Sequence, residues 1–305
     1  MTKKIIVIMF IVCSITYSQK IKLTEIKNLE LVQSYYPQFS NSNDKIIYTS
    51  SNYKGLFSYD LKNNQTVLIS NENGAGYKPI VLDDNKFILR KFNIVNGIKN
   101  YSVYFKDVNS DKIELIQKDK RDLFIPSQAV NSNLIYVDDS KIQIKEIPIK
   151  NLSKSNTISR AVFSKNDKLF LIENDQKINI SPLGKGVYVW ESISKDGEKI
   201  LFSFGNKGTF ISDKEGQILF NIPDAHYPKF SPDENYILYM KDKDDGYKYI
   251  SSDLYVFSLN EKKEFKLTET DDRIEMYPNW STDQTKIVFN SDDGEIFIAN
   301  INFEQ

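Results

Sequence analysis

From residue 20 onward the chain is a succession of short apolar runs separated by clusters of Asn, Asp, Ser and Gly. Typical runs are Lys45-Ile46-Ile47-Tyr48, Phe87-Ile88-Leu89, Ile200-Leu201-Phe202, Ile237-Leu238-Tyr239 and Ile287-Val288-Phe289. They are continuous rather than alternating and too short for helices, which is the pattern of strands buried on both faces. No stretch holds a 3.6-residue period over a useful length, so the chain is read as all-β.

The runs recur in a common setting. Residues 227–239, Tyr-Pro-Lys-Phe-Ser-Pro-Asp-Glu-Asn-Tyr-Ile-Leu-Tyr, read as strand, tight turn and strand. Pro232 pre-sets a turn angle, Asp233 can bond to nearby backbone N–H groups, and Asn235 tolerates a left-handed conformation. Clear copies start at Tyr36, Ala161, Ser192 and Tyr277, and degraded ones at Tyr77 and Pro126. Further short runs follow most copies, such as residues 55–59 and 253–257, with outer runs at 66–69 and 264–268. About four strands in about 40 residues is the period of a β-propeller blade.

Seven inner hairpins favour seven blades of four antiparallel strands. The stretch 158–187 is short for a whole blade, which leaves six blades with one irregular unit as the alternative. The unit that starts at Tyr277 lacks an outer strand. Lys20-Ile21-Lys22-Leu23-Thr24-Glu25 resembles the outer strand Glu264-Phe265-Lys266-Leu267-Thr268-Glu269. The expectation is that residues 20–25 pair in the last blade and close the ring, removing an exposed sheet edge.

The motif Pro-x-Phe/Trp-Ser-x-Asp followed by a strand is complete at 228–233 and 278–283 and partial at 37–44 and 192–202. It resembles the repeat of TolB-like, WD-like propellers of exported bacterial proteins, found also in the propeller domains of prolyl-oligopeptidase relatives. The family's Asp-Gly turn survives only at Asp196-Gly197. The resemblance covers the propeller alone, so a role in the Tol system does not follow from it. The closed ring, the export signal, the lack of a catalytic constellation and the aromatic residues described below lead to the expectation of an exported, non-enzymatic module that binds a protein partner or serves as a scaffold in the bacterial envelope. The alternative is a carbohydrate-binding or carbohydrate-active propeller with its site at the mouth of the central channel.

The N-terminus supports export. Met1-Thr2-Lys3-Lys4 precedes an uncharged run from Ile5 to Cys13, and Thr16 and Ser18 are small residues at −3 and −1 of a cut after Ser18. This reads as a signal peptide over 1–18, with the propeller over 19–305 and a periplasmic or secreted destination. Cys13 is the sole cysteine, and Val12 before it is not small, so lipidation there is not expected. No later apolar run is long enough to span a bilayer. The net charge of −1 includes no strong basic stripe, which argues against nucleic acid as a partner. A monomeric ring is expected.

Candidate chemistry is sparse. His226 is the only histidine, and with no second histidine or cysteine beside it a zinc site or a nucleophilic triad is not expected. No Gly-x-Ser-x-Gly elbow occurs. Asp242-Lys243-Asp244-Asp245-Gly246 starts like a calcium loop, yet its twelfth position is Asp253 instead of glutamate. Neither a catalytic residue, nor a metal, nor a cofactor is therefore assigned. The binding candidates are His226, Tyr227, Tyr36, Tyr188, Trp190 and Tyr277, at the starts of inner strands and so near the channel mouth. Such aromatics suit a peptide or a glycan, although packing between blades would use them equally well. Two inward carboxylates beside an aromatic platform would mark the sugar reading.

Overall fold

The computed structural model describes residues 20–110, 112–128, 133–139, 141–146 and 160–304. The proposed signal peptide and Cys13 lie outside the described residues. The chain forms seven antiparallel sheets arranged as a propeller, and among the described residues there is one short 3-10 turn and no α-helix.

Blade 1 comprises Ser34–Phe39, Lys45–Ser50, Lys54–Asp60 and Gln65–Asn73. Blade 2 comprises Ile80–Asp83, Lys86–Val95, Ile98–Asp107 and Lys112–Lys120. Blade 3 shows three strands among the described residues, Leu123–Phe124, Asn133–Asp138 and Lys141–Glu146. Blade 4 comprises Ser127–Gln128, Arg160–Lys165, Lys168–Glu173 and Gln176–Asn179. Blades 5 and 6 run Tyr188–Ile193 to Ile218–Ile222 and His226–Phe230 to Lys263–Lys266. Blade 7 takes Glu275–Trp280, Lys286–Ser291 and Ile296–Glu304, with Lys20–Asn28 outermost.

The N-terminal strand closes the ring as its sequence implied. Lys20 pairs with Glu304, Ile21 with Phe303 and Leu23 with Ile301, and the pairing extends beyond the expected residues to Asn28. Ile21 is 5% exposed and joins the core between blades 6 and 7. The blade count of seven stands, but two units are built differently from the repeat alignment. The hairpin at Ala161-Val162-Phe163 is not an innermost hairpin. It is the middle hairpin of blade 4, turning at Asn166 and Asp167, both left-handed, with Lys165 opposite Lys168. The innermost position is filled by Ser127–Gln128, which pairs with Val162 and Ala161. Leu123–Phe124 then serves blade 3. The short stretch 158–187 needs no further outer strand, because its missing strand comes from before residue 130.

Seven apolar clusters fill the seven wedges between neighbouring blades. Ile47 and Leu56 meet Phe87 and Leu89 between blades 1 and 2. Leu201 and Ile211 meet Ile237 and Tyr239 between blades 5 and 6. Val288 and Ile296 meet Phe39 and Ile46 between blades 7 and 1. Each sheet is covered on both faces, which is why the second strands are unbroken apolar runs.

The Ser-x-Asp of the motif is a turn device. Ser231 Oγ bonds Asp233 at 2.6 Å and accepts from Tyr236 N at 3.0 Å, while Asp233 accepts from Asn235 N at 3.1 Å. Ser281 and Asp283 repeat this with Lys286 N and Thr285 N, and Ser194 and Asp196 with Lys199 N and Glu198 N. In blade 1 Ser42 stands in for the aspartate and accepts from Asp44 N.

Candidate functional site

Each regular inner strand is bulged at the same place. Register shifts fall between Tyr35 and Gln38, Val189 and Ser192, His226 and Lys229, and Met276 and Asn279. In three of these the skipped pair ends in proline, which has no N–H to give the ladder and so favours a bulge. The residue ahead of the proline takes a left-handed backbone: Tyr36 (φ 54), Tyr227 (φ 52) and Tyr277 (φ 54), with Trp190 (φ 54) in blade 5 and Lys78 (φ 48) in blade 2. A bulky residue there is strained by about 1–2 kcal/mol. Neighbouring blades help to hold it: Tyr36 N donates to Asn290 Oδ1 at 3.0 Å, and Tyr277 N meets Met240 Sδ at 3.4 Å.

The bulges turn these side chains toward one another across the axis. Ring centroids lie 4.3 Å apart for Tyr36 and Tyr277, 5.1 Å for Tyr227 and Tyr277, 6.3 Å for Tyr36 and Tyr227, and 6.0 Å for Trp190 and Tyr227. Tyr36 also stacks on Tyr53 at 4.8 Å. Burial pushes the hydroxyls of Tyr53, Tyr227 and Tyr277 up, away from ionisation at neutral pH.

Of the six binding candidates, the structure gathers five at this mouth. His226 packs 5.8 Å from Trp190, and its Nδ1 lies 2.6 Å from Asp242 Oδ1. That hydrogen bond holds the imidazole above its ordinary value of 6.5, against the opposing effect of burial. Tyr188 is elsewhere. It is 3% exposed, packs on Phe202 and Phe204 between blades 4 and 5, accepts from Leu183 N and donates to Gly184 O. The acidic run starting at Asp242 is a hairpin, in which Asp242 pairs with Ser252 and Asp244 caps Gly246 N.

Sequence reading missed the charged half of the mouth. Lys78 replaces the aromatic in blade 2, Glu191 replaces the proline in blade 5, and the two meet at 2.9 Å. Burial alone would lower the Lys78 ammonium, but Glu191 more than offsets this and holds it above its ordinary value. Arg90 lies 4.2 Å over the Tyr77 ring and 4.7 Å over Tyr101. Lys229, two residues past its bulge, sits 4.5 Å over Tyr227. The available signal was each copy's departure from the repeat: Lys-Pro for Tyr-Pro, Trp-Glu for aromatic-Pro, and a lone cation at the variable position.

Two hairpins rise on the same face. In blade 2 the second and third strands run on to Val95 opposite Ile98, turning at Asn96 and Gly97, both left-handed as a two-residue hairpin turn requires. In blade 6 they run to Asp244 opposite Tyr249. Their tips expose Ile94, Val95 and Ile98 on one, and Tyr247 (99% exposed) and Ile250 on the other. Blades 2 and 6 stand on opposite sides of the ring. A shallow cleft lined by Asn41, Ser42, Asp83, Asp84 and Asn85 belongs to the other face, among the inner hairpin turns.

The fold is a seven-bladed β-propeller like that of TolB. A TolB structure from Acinetobacter baumannii matches with a TM-score of 0.51 at 17% identity, over 82% of this chain and 57% of that one. An oligogalacturonate lyase in complex with manganese matches with a TM-score of 0.49 at 14% identity, over 88% of this chain and 76% of that one. An oligogalacturonate lyase from Vibrio parahaemolyticus gives the same TM-score and identity. At these identities the likeness concerns the fold alone. No family model matches the sequence. No curated protein matches it either. Among the described residues no group of three His, Cys, Asp or Glu side chains is placed to hold a metal ion. No described helix is long and apolar enough to cross a membrane.

Proposed function

We propose that this chain is an exported, non-enzymatic propeller module that binds a protein partner across the aromatic mouth. One observation carries the reading: two raised hairpins with exposed apolar tips flank the mouth on opposite sides. Clustered exposed apolar side chains mark interaction sites, and the strained aromatics between them provide rigid contact area. The signal-peptide pattern at residues 1–18 supports a partner in the periplasm or outside the cell.

The sugar-active reading needs two free carboxylates at the mouth. Two carboxylates described there are already engaged, Glu191 by Lys78 and Asp242 by His226, which favours a binding role.

Site-specific photocrosslinking in the native host tests the proposal. A photoreactive residue at Val95 or Tyr247 is expected to give discrete protein adducts in the envelope fraction, while one at Asn109, on the other face, gives none. Equal labelling from both faces, or none from the hairpin tips, would sink it. N-terminal sequencing of the recovered chain checks export, with Gln19 expected as the first residue.

A further inference from the structure

Gln38, Ser192, Lys229 and Asn279, the first residues to pair again after each skipped pair, stand at one level of the inner strands of blades 1, 5, 6 and 7, a second tier next to the aromatics. Three are neutral. Lys229 is not, and no described carboxylate comes within ion-pair distance of its ammonium, whose near neighbour is the Tyr227 ring. The Ser192 hydroxyl, in the adjacent blade, is buried with no hydrogen-bond partner, and so is Arg90 Nε. Lys78 acts electrostatically on Lys229, and Arg90 on Lys78. Lys78 and Lys229 thus share the field of one carboxylate, Glu191, which Lys78 already holds. An uncompensated buried cation is costly, and such groups concentrate at functional sites.

We propose that Lys229, with the Ser192 hydroxyl of the same tier, binds one carboxylate group that enters the channel from the aromatic mouth. A single free ammonium matches a single negative charge. The Glu191 carboxylate nearby would oppose the second charge of a phosphate dianion. The aromatic walls suit whatever carries the acid, and both an acidic peptide and a sugar acid offer this group. The site rests on the channel residues and does not require the partner reading; the carrier decides how the two connect. Burial and the nearby Lys78 charge hold Lys229 down to about 8, so an arriving anion raises it, and binding weakens as pH climbs past that value.

The test follows the titration of Lys229 by ε-carbon NMR in the intact chain, with the signal assigned from its loss in Lys229→Arg. Three probes are compared at constant ionic strength: an N-acetylated, C-amidated alanine peptide with one central Asp, its Asn counterpart, and glucuronate. The Asp peptide or glucuronate is expected to raise the Lys229 midpoint by about one unit or more, and the Asn peptide to leave it in place. Calorimetry should show that binding of the active acid is lost in Lys229→Met and kept in Lys229→Arg. A response to the peptide alone supports both this site and the protein-partner reading. A response to glucuronate alone supports the site and counts against that reading. No shift with either acid, or an equal shift with the Asn peptide, overturns the site.

Discussion

Lys78 Nζ lies 2.9 Å from Glu191 Oε1, although the two residues belong to blades 2 and 5. In a seven-bladed ring these blades are as far apart as any two can be, so the pair spans the axis. Both residues break the repeat at their own positions, and the two departures compensate each other. The aromatic rings of blades 1, 5, 6 and 7 occupy the rest of the same tier.

Glu191→Gln should therefore leave Lys78 and Lys229 as unscreened neighbours. Lys78 keeps 40% of its side chain in contact with solvent, which moderates the penalty to about 1–2 kcal/mol. Urea unfolding measures this loss. The Lys229 titration midpoint should also fall further, because Glu191 is the carboxylate that acts to raise it.

Ring closure should depend on Ile21. Its side chain is 5% exposed within the core between blades 6 and 7. Ile21→Ala is expected to destabilise the whole propeller by about 2–4 kcal/mol. Removing residues 20–28 should expose the edge of Ile296–Glu304 and produce concentration-dependent association, read by light scattering.

The turn aspartates should make the fold acid-sensitive. The serine hydroxyls lower the Asp196 and Asp283 carboxyls below their ordinary value. A depressed carboxyl stabilises the fold above its unfolded pKa and loses that contribution as pH falls through its folded value. Asp283→Asn should cost about 1 kcal/mol at pH 7 and progressively less toward pH 3, measured as the difference in thermal midpoint between variant and parent.

His226 should behave in the opposite sense. Its hydrogen bond to Asp242 raises it above 6.5, so its contribution is fully present below that value. The contribution disappears as pH rises through the higher folded value. In Asp242→Asn the imidazole midpoint should fall, because burial is then opposed only by the charges of Asp224 and Asp244. An imidazole titration by NMR that is unchanged in this variant would show that the pair does not form in solution.

The repeat and the blade count were legible in the sequence because they rest on turn chemistry and continuous apolar runs, and the closing strand because residues 20–25 resemble the outer strand at 264–269. The aromatic mouth was legible for the same reason, since Tyr36, Tyr227 and Tyr277 all precede a motif proline. Tyr188 was not distinguishable from them by pattern, since an aromatic at a strand start serves packing and recognition alike, and only the Leu183 and Gly184 contacts settle its place. The strand swap at Ser127–Gln128 was equally hidden. Two residues carry no periodicity, and their partner lies beyond residue 159.

The stretch at 227–239 shows the division most clearly. Its own residues determine a bulge at Tyr227-Pro228, a turn held by Ser231 and Asp233, and a second strand buried on both faces, because these are interactions between near neighbours in the chain. Closure of the ring decided what the stretch faces. It set Tyr227 among Tyr36, Tyr277 and Trp190, joined Lys78 to Glu191 across the axis, and left Lys229 beside the Tyr227 ring with no described carboxylate in ion-pair contact. Those relationships join residues that are distant in sequence, and their energies depend on burial and distance, which exist only once all seven blades are in place.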